Sequence, residues 1–130
     1  MSTQFTINGI PMLDIDTLNT FQRAYFECAL WSSTNDEGEP LDNDYDITDL
    51  SPETWDQMKK DCIDFVETNK ELLEGLIPSQ SGHDFWLNRN GHGAGFWDRG
   101  LGEVGNKLSE MCKLEGSIDL YVGDDKKIYI

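Results

Sequence analysis

Apolar residues recur at intervals of three and four in three stretches of the chain, which is the spacing of one helix face. The first stretch predicts a helix over Thr17–Trp31, in which Phe21, Tyr25 and Cys28 share one side. Further apolar residues beside them widen this side, so the helix is expected to be well buried.

The second helix, predicted over Ser51–Glu74, has the clearest start and stop signals. Ser51 suits the N-cap, Pro52 suits the first helical position, and Gly75 suits the residue just past the end. A third helix is predicted over Glu103–Leu114, with Gly116 after its end. The apolar stripe of the second helix consists of Trp55, Met58, Cys62, Phe65, Val66, Leu72 and Leu73.

A β-hairpin is predicted in the second half of the chain. The dipeptide Asn90-Gly91 is the strongest short hairpin signal, and it separates two candidate strands, Asp84–Asn88 and Ala94–Asp98. We therefore expect an antiparallel pair around this turn.

Turn signals also occur towards both ends of the chain. Asn8-Gly9 interrupts an extended start, and Asp124-Asp125 predicts a last hairpin.

Together these elements predict one α+β domain over residues 1–130, with two to three helices packed on one face of a small, mainly antiparallel sheet. The polar residues 32–50, between the first two helices, are expected to form a long exposed acidic loop.

Charge adds the most distinctive feature of the composition. The 130 residues carry a formal charge of −15, and residues 1–80 hold 17 acidic residues against 4 basic ones. Between Ala24 and Met58 there is no Lys or Arg. Such a chain repels nucleic acid and anionic membrane surfaces and attracts basic proteins. A basic protein is therefore the expected partner, with no direct nucleic-acid or membrane binding.

The same sequence predicts an intracellular protein. It has no apolar run of about 18 residues and no basic segment followed by an apolar one at its start. Its three cysteines, Cys28, Cys62 and Cys112, lie far apart in apolar surroundings, as expected of reduced core thiols. No pattern predicts an oligomeric state.

Acidic residues form a row opposite the apolar stripe of the second helix. At about 100° per residue they share one side, and Lys60 interrupts them. The row can be an ordinary solvated face, or it can imitate the charge of a phosphate backbone and bind a basic protein surface. Its members are Glu53, Asp56, Asp64, Glu67, Glu71 and Glu74.

The predicted hairpin around Asn90-Gly91 collects the remaining unusual residues. A two-residue turn would place His83 opposite Asp98, and Trp86 and Trp97 on the other side beside glycines. One interpretation is structural, with the His–Asp pair satisfied in the core. A second is a binding surface, in which Trp86 and Trp97 stack on a ligand or anchor a partner.

The third interpretation is catalytic. His83 would act as a base oriented by Asp98, while His92 or Arg99 would stabilise an anion. No nucleophile motif accompanies this group, and the two histidines are not spaced as metal ligands. We therefore predict no metal and no cofactor.

Glycines 100, 102 and 105 formally match the dinucleotide-binding pattern G-x-G-x-x-G. The preceding segment lacks a buried aliphatic run, and too little chain follows for the parallel sheet that such a site needs. The expected role is a tight turn and a helix start.

Several segments together resemble a family of small acidic proteins encoded in bacteriophage genomes. They are ECALWSS from residue 27, GEPLD from residue 38, HDFWLNRNGHGAGFWDRGLG from residue 83 and LYVGDD from residue 120. The family is uncharacterised, so the resemblance implies a viral origin and action in the cytoplasm of the infected bacterial host. It implies no catalytic residue.

The leading hypothesis is a phage-encoded binding protein that inhibits or redirects a basic host protein, possibly a nucleic-acid-handling defence enzyme, as a DNA mimic would. The alternative is a small enzyme or nucleotide-binding module using the 83–99 hairpin. A structural or scaffolding role is a third option.

Overall fold

The computed structural model describes residues 4–7, 10–13 and 15–130, with side chains from Asp16 onward. The described part is dominated by helices rather than by a sheet. Short 3-10 turns lie between several of the helices. In chain order the helices are α1 (Thr20–Ser32), α2 (Pro52–Thr68), α3 (Lys70–Leu73), α4 (Pro78–Arg89) and α5 (Glu103–Glu115).

Among the described residues, strands occur as two separate antiparallel pairs. β1 (Gln4–Ile7) pairs with β2 (Ile10–Leu13), and Asn8-Gly9 lies outside the described residues. β3 (Tyr121–Val122) pairs with β4 (Ile128–Tyr129), which confirms the predicted last hairpin. The predicted α+β fold, with helices laid on one sheet, is wrong: two-stranded pairs are too small to cover the helices, which pack on one another instead.

The second predicted helix is found almost as expected. The Ser51 hydroxyl accepts a hydrogen bond from Thr54 N, and Pro52 is the first helical residue. Asn69 divides the helix into α2 and α3, because its backbone leaves helical geometry. Gly75, just past α3, adopts φ +82°, the left-handed conformation that glycine allows.

The helix predicted at 103–114 is also confirmed, with Gly116 as its C-cap at φ +79°. The first helix starts three residues later than predicted. Asn19 caps it, since its side chain accepts from Gln22 N while Gln22 Oε1 accepts from Asn19 N.

The predicted hairpin around Asn90-Gly91 is wrong. Residues 78–89 form α4, and Asn90-Gly91 ends this helix, with Gly91 at φ +65°. Sequence patterning failed because Ser81, Gly82 and Asp84–Arg89 are all buried. A helix covered on most sides shows no alternation between an apolar and a polar face.

Close packing of α1 against α4 explains why α4 is covered. Gly82 lies on the backbone of α1: a Cβ at this position would stand 2.1 Å from the carbonyl oxygen of Phe21. Aromatic rings fill the space around this crossing. Phe85 stacks on Phe65 at 4.0 Å and lies 4.9 Å from Tyr25.

The acidic segment 33–50 is held against the helices. Leu41, Ile47 and Leu50 enter the core, and Ser51 N donates to Ile128 O of β4. The segment is thus not wholly exposed as predicted: three apolar side chains anchor it and Asp49 is half-buried, while its other carboxylates are exposed.

Candidate functional site

The six predicted carboxylates, which we call the acidic face, are all exposed. Glu53, Asp56, Asp64 and Glu67 lie on α2, whereas Glu71 lies on α3 and Glu74 caps its end. Lys60 donates a hydrogen bond to Asp64 at 2.5 Å, and this bond raises the pKa of the lysine. One carboxylate of the face is therefore partly neutralised.

The charge density of the acidic face is lower than that of DNA. From Glu53 to Glu67 the helix rises about 21 Å, at about 1.5 Å per residue. Four carboxylates over that length are spaced about 7 Å apart, whereas one DNA strand carries a phosphate about every 3.4 Å. The face alone therefore matches roughly half the density of one strand.

Further carboxylates lie in a cleft beside α1. A cleft of about 300 Å³ between α1 and the acidic segment is lined by Glu27, Asp42 and Asp46, together with Arg23. Arg23 contacts Glu27 at 3.5 Å, one turn away on the exposed side of α1. The segment leads directly into the first turn of α2, so its charges continue the acidic face along the chain.

The two tryptophans of the 83–99 motif have different surroundings. Trp86 is 1% exposed, and its indole nitrogen donates a hydrogen bond to Ser32 Oγ at 2.7 Å. The prediction that Trp86 offers an exposed ring to a ligand or partner is therefore wrong. Trp97 is 51% exposed on a short 3-10 turn. Only Trp97 of this predicted pair can therefore contact a partner.

The catalytic interpretation required His83 beside Asp98, and the structure does not pair them. Asp98 accepts a hydrogen bond from Gly95 N and caps its own turn. His83 lies 5.8 Å, between ring centroids, from the exposed Trp31. Its Nδ1 is buried and has no hydrogen-bond partner among the described residues, and burial lowers the pKa of this histidine.

The remaining candidates are only partly brought together: Arg99 lies 3.8 Å from Asp98, but its main partner is another carboxylate. Arg99 binds Asp84 through two nitrogens, with the shortest contact at 2.8 Å, and anchors the motif to α4. His92 is exposed, and its backbone N donates to Leu87 O. A base oriented by a carboxylate next to an anion-binding group is therefore not formed by these residues.

The glycines of the motif build the loop between α4 and α5. Asn88 Oδ1 accepts from Phe96 N at 2.8 Å and from Ser109 Oγ at 3.0 Å. Gly102 adopts φ +63° as the N-cap of α5, and a Cβ at Gly105 would stand 2.6 Å from Phe96 O. The G-x-G-x-x-G pattern thus serves as a turn and helix start, as expected.

A surface that sequence patterning missed adjoins the acidic face. A groove of about 650 Å³ lies where the first turn of α1 meets the end of α2, α3 and the start of α4. We call it the apolar groove. The sequence predicts Val66 and Leu73 as part of the apolar helix stripe, which Leu76 and Pro78 follow. Nothing in the sequence shows that α1 leaves these four residues partly uncovered. Its apolar lining comprises Phe21, Val66, Leu73, Leu76 and Pro78.

Within the described part of the chain, no group of three or more His, Cys, Asp or Glu residues is arranged to hold a metal ion. None of the described helices is long and apolar enough to cross a membrane. No protein-family model matches the sequence, and no curated protein or solved structure shows significant similarity to the chain.

Proposed function

We propose that this chain is a phage-encoded binding protein that docks on a basic protein in the cytoplasm of the infected bacterial host and inhibits or redirects it. The observation that carries the proposal is the exposure of all six carboxylates of the acidic face. Lys60 is bound to Asp64, and Lys70 and Lys107 line one pocket with Glu67 and Glu71, so the face keeps a surplus of negative charge.

Electrostatics support a protein partner over other partners. The formal charge of −15 opposes binding to nucleic acid and to anionic lipid, and it accelerates encounter with positively charged surfaces. Trp86 is buried, and Asp98 accepts a hydrogen bond from Gly95 N rather than from His83, so these residues give no support to the enzyme alternative.

Inhibition of a nucleic-acid-handling enzyme is the more specific part of the proposal. The acidic face has about half the linear charge density of one DNA strand, so imitation of a duplex needs the carboxylates of the acidic segment as well. Asp42 and Asp46, which line one cleft with Glu27 of α1, are additional charges of this kind.

The test compares two triple variants with the same change in net charge. One removes charge from the acidic face (Glu67→Gln, Glu71→Gln, Glu74→Gln), and the control removes it elsewhere (Glu110→Gln, Asp119→Asn, Asp124→Asn). Each protein is immobilised and exposed to bacterial lysate at 50 and 500 mM NaCl, and retained proteins are identified by mass spectrometry.

We expect the wild type and the control to retain basic proteins at low salt and to release them at high salt, because salt screens exposed charges. The acidic-face variant should lose them. Retention of no basic protein, or equal retention by both triple variants, would overturn the proposal. For the DNA-mimic part, the chain should displace duplex DNA from the retained protein; failure to compete would exclude it.

A further inference from the structure

We propose that the apolar groove and the acidic face together bind one amphipathic basic helix of the partner, with its apolar side chains in the groove and its Lys and Arg residues on the carboxylates. This inference rests on the proposed function and specifies the chemistry of the partner segment.

The main observation is that residues lining the groove and exposed acidic residues are neighbours along one edge of α2 and α3. Val66, Lys70 and Leu73 line the groove at spacings of four and three residues. Each is followed directly by an exposed acidic residue, namely Glu67, Glu71 and Glu74. A wall formed by Val66 and Leu73, with Lys70 between them, therefore runs beside a row of three carboxylates over about two turns.

A basic amphipathic helix presents the complementary pattern. Its apolar residues recur every three or four positions, and its cations can occupy the neighbouring row at the same spacing. A uniformly basic surface would engage the carboxylates but would leave the apolar wall in water. The groove volume of about 650 Å³ lies within the range of roughly 300–1,000 Å³ typical of ligand pockets.

The groove also has a stable floor. Phe21 is buried and packs on Phe65 and Phe85 at 6.3 and 6.2 Å between ring centroids. The lining thus belongs to the aromatic core around α1 and α4, and the groove is formed before a partner arrives. A preformed apolar pocket costs little ordering on binding, which favours affinity.

The test uses a fluorescein-labelled, amphipathic 18-residue helical peptide of Lys, Leu and Ala. The control is a peptide of the same composition in which the order is scrambled, so that Leu and Lys no longer lie on separate faces. Fluorescence anisotropy measures the affinity of the full chain for each peptide at 50 and 500 mM NaCl. Because both peptides carry the same charge, any difference between them reports the apolar contact.

Two groove variants and one control are compared. Thr20→Trp places a large side chain on an exposed residue that lines the groove, and Leu76→Ala shortens its apolar lining. Thr34→Trp makes the same enlargement at an exposed position in the segment after α1. Thermal unfolding establishes that each variant is folded.

We expect the helical peptide to bind at least tenfold more tightly than the scrambled one, and Thr20→Trp to remove that difference. Leu76→Ala should reduce it severalfold, and Thr34→Trp should leave it unchanged. Equal, salt-sensitive binding of both peptides overturns the groove inference and leaves the proposed function standing. No binding of either peptide at 50 mM NaCl overturns both. A dimer that Thr20→Trp dissociates would assign the groove to a second copy and also overturn the inference.

Discussion

The guanidinium of Arg89 lies 2.9 Å from the carboxylate of Asp61 and joins the end of α4 to the middle of α2. The Arg89 side chain is only 3% exposed and also donates to Tyr25 Oη, Glu115 O and Gly116 O. It thus connects α1, α2, α4 and the end of α5 through one cation. Its Cζ lies 5.4 Å from the centre of the Phe85 ring.

Replacing this cation should weaken the whole fold. Arg89→Met removes the donors from Tyr25 and from Asp61, and breaking a buried ion pair on one side typically costs about 3–5 kcal/mol of unfolding free energy. Chemical denaturation measures this cost. Arg23→Met, which breaks the exposed contact with Glu27, is the control and should cost less than about 1 kcal/mol. Equal losses in the two variants would contradict the central role of Arg89.

Gly82 should not tolerate even one methyl group. In Gly82→Ala the new Cβ would meet the Phe21 backbone oxygen at 2.1 Å, so α1 and α4 would have to separate. Overpacking of this kind costs about 1–3 kcal/mol, although alanine favours helix. Ser79→Ala, at an exposed position of the same helix, should be neutral or slightly stabilising. A Gly82→Ala protein as stable as wild type would show that the two helices do not pack this closely.

Protonation of His83 should destabilise the folded protein. Burial lowers the pKa of His83 below its ordinary value, so the unfolded chain binds the proton more readily than the folded one. The stability that neutral, buried His83 contributes is therefore fully present above about pH 6.5, and it declines as the pH falls below that value.

The measurement is the melting temperature between pH 7.5 and 5.5, compared between wild type and His83→Gln. Because the many carboxylates affect both proteins alike, the difference isolates the histidine. Wild type should lose more stability than His83→Gln on acidification. Parallel pH profiles would contradict the assignment.

The three cysteines should be unreactive in the native protein. Burial raises the pKa of Cys28 to about 12 and raises the pKa values of Cys62 and Cys112 well above the ordinary range. Since the thiolate is the reactive form, a thiol reagent such as Ellman's reagent should label none of them quickly at pH 8 and all three in denaturant. Rapid labelling of one thiol in the folded state would contradict this.

Local signals were sufficient to predict several elements of the fold. Ser51, Pro52 and Gly75 marked the ends of a helix because capping and left-handed backbone geometry depend on neighbouring residues alone. The same holds for Gly116 and for the turn between β3 and β4. The Asn90-Gly91 signal also marked a real turn, but it ended a helix instead of joining two strands.

The sequence by itself determined where helices α1, α2 and α5 lie and that an acidic row faces away from the apolar stripe of α2, since both follow from period and composition. Only the tertiary structure decided that α4 is a buried helix, that Trp86 is a core residue and that no hydrogen bond joins His83 to Asp98. These depend on long-range packing, above all on Gly82 against α1 and on Arg89 bound to Asp61. The apolar groove likewise exists only because four helices, α1 to α4, meet without closing over Val66 and Leu73.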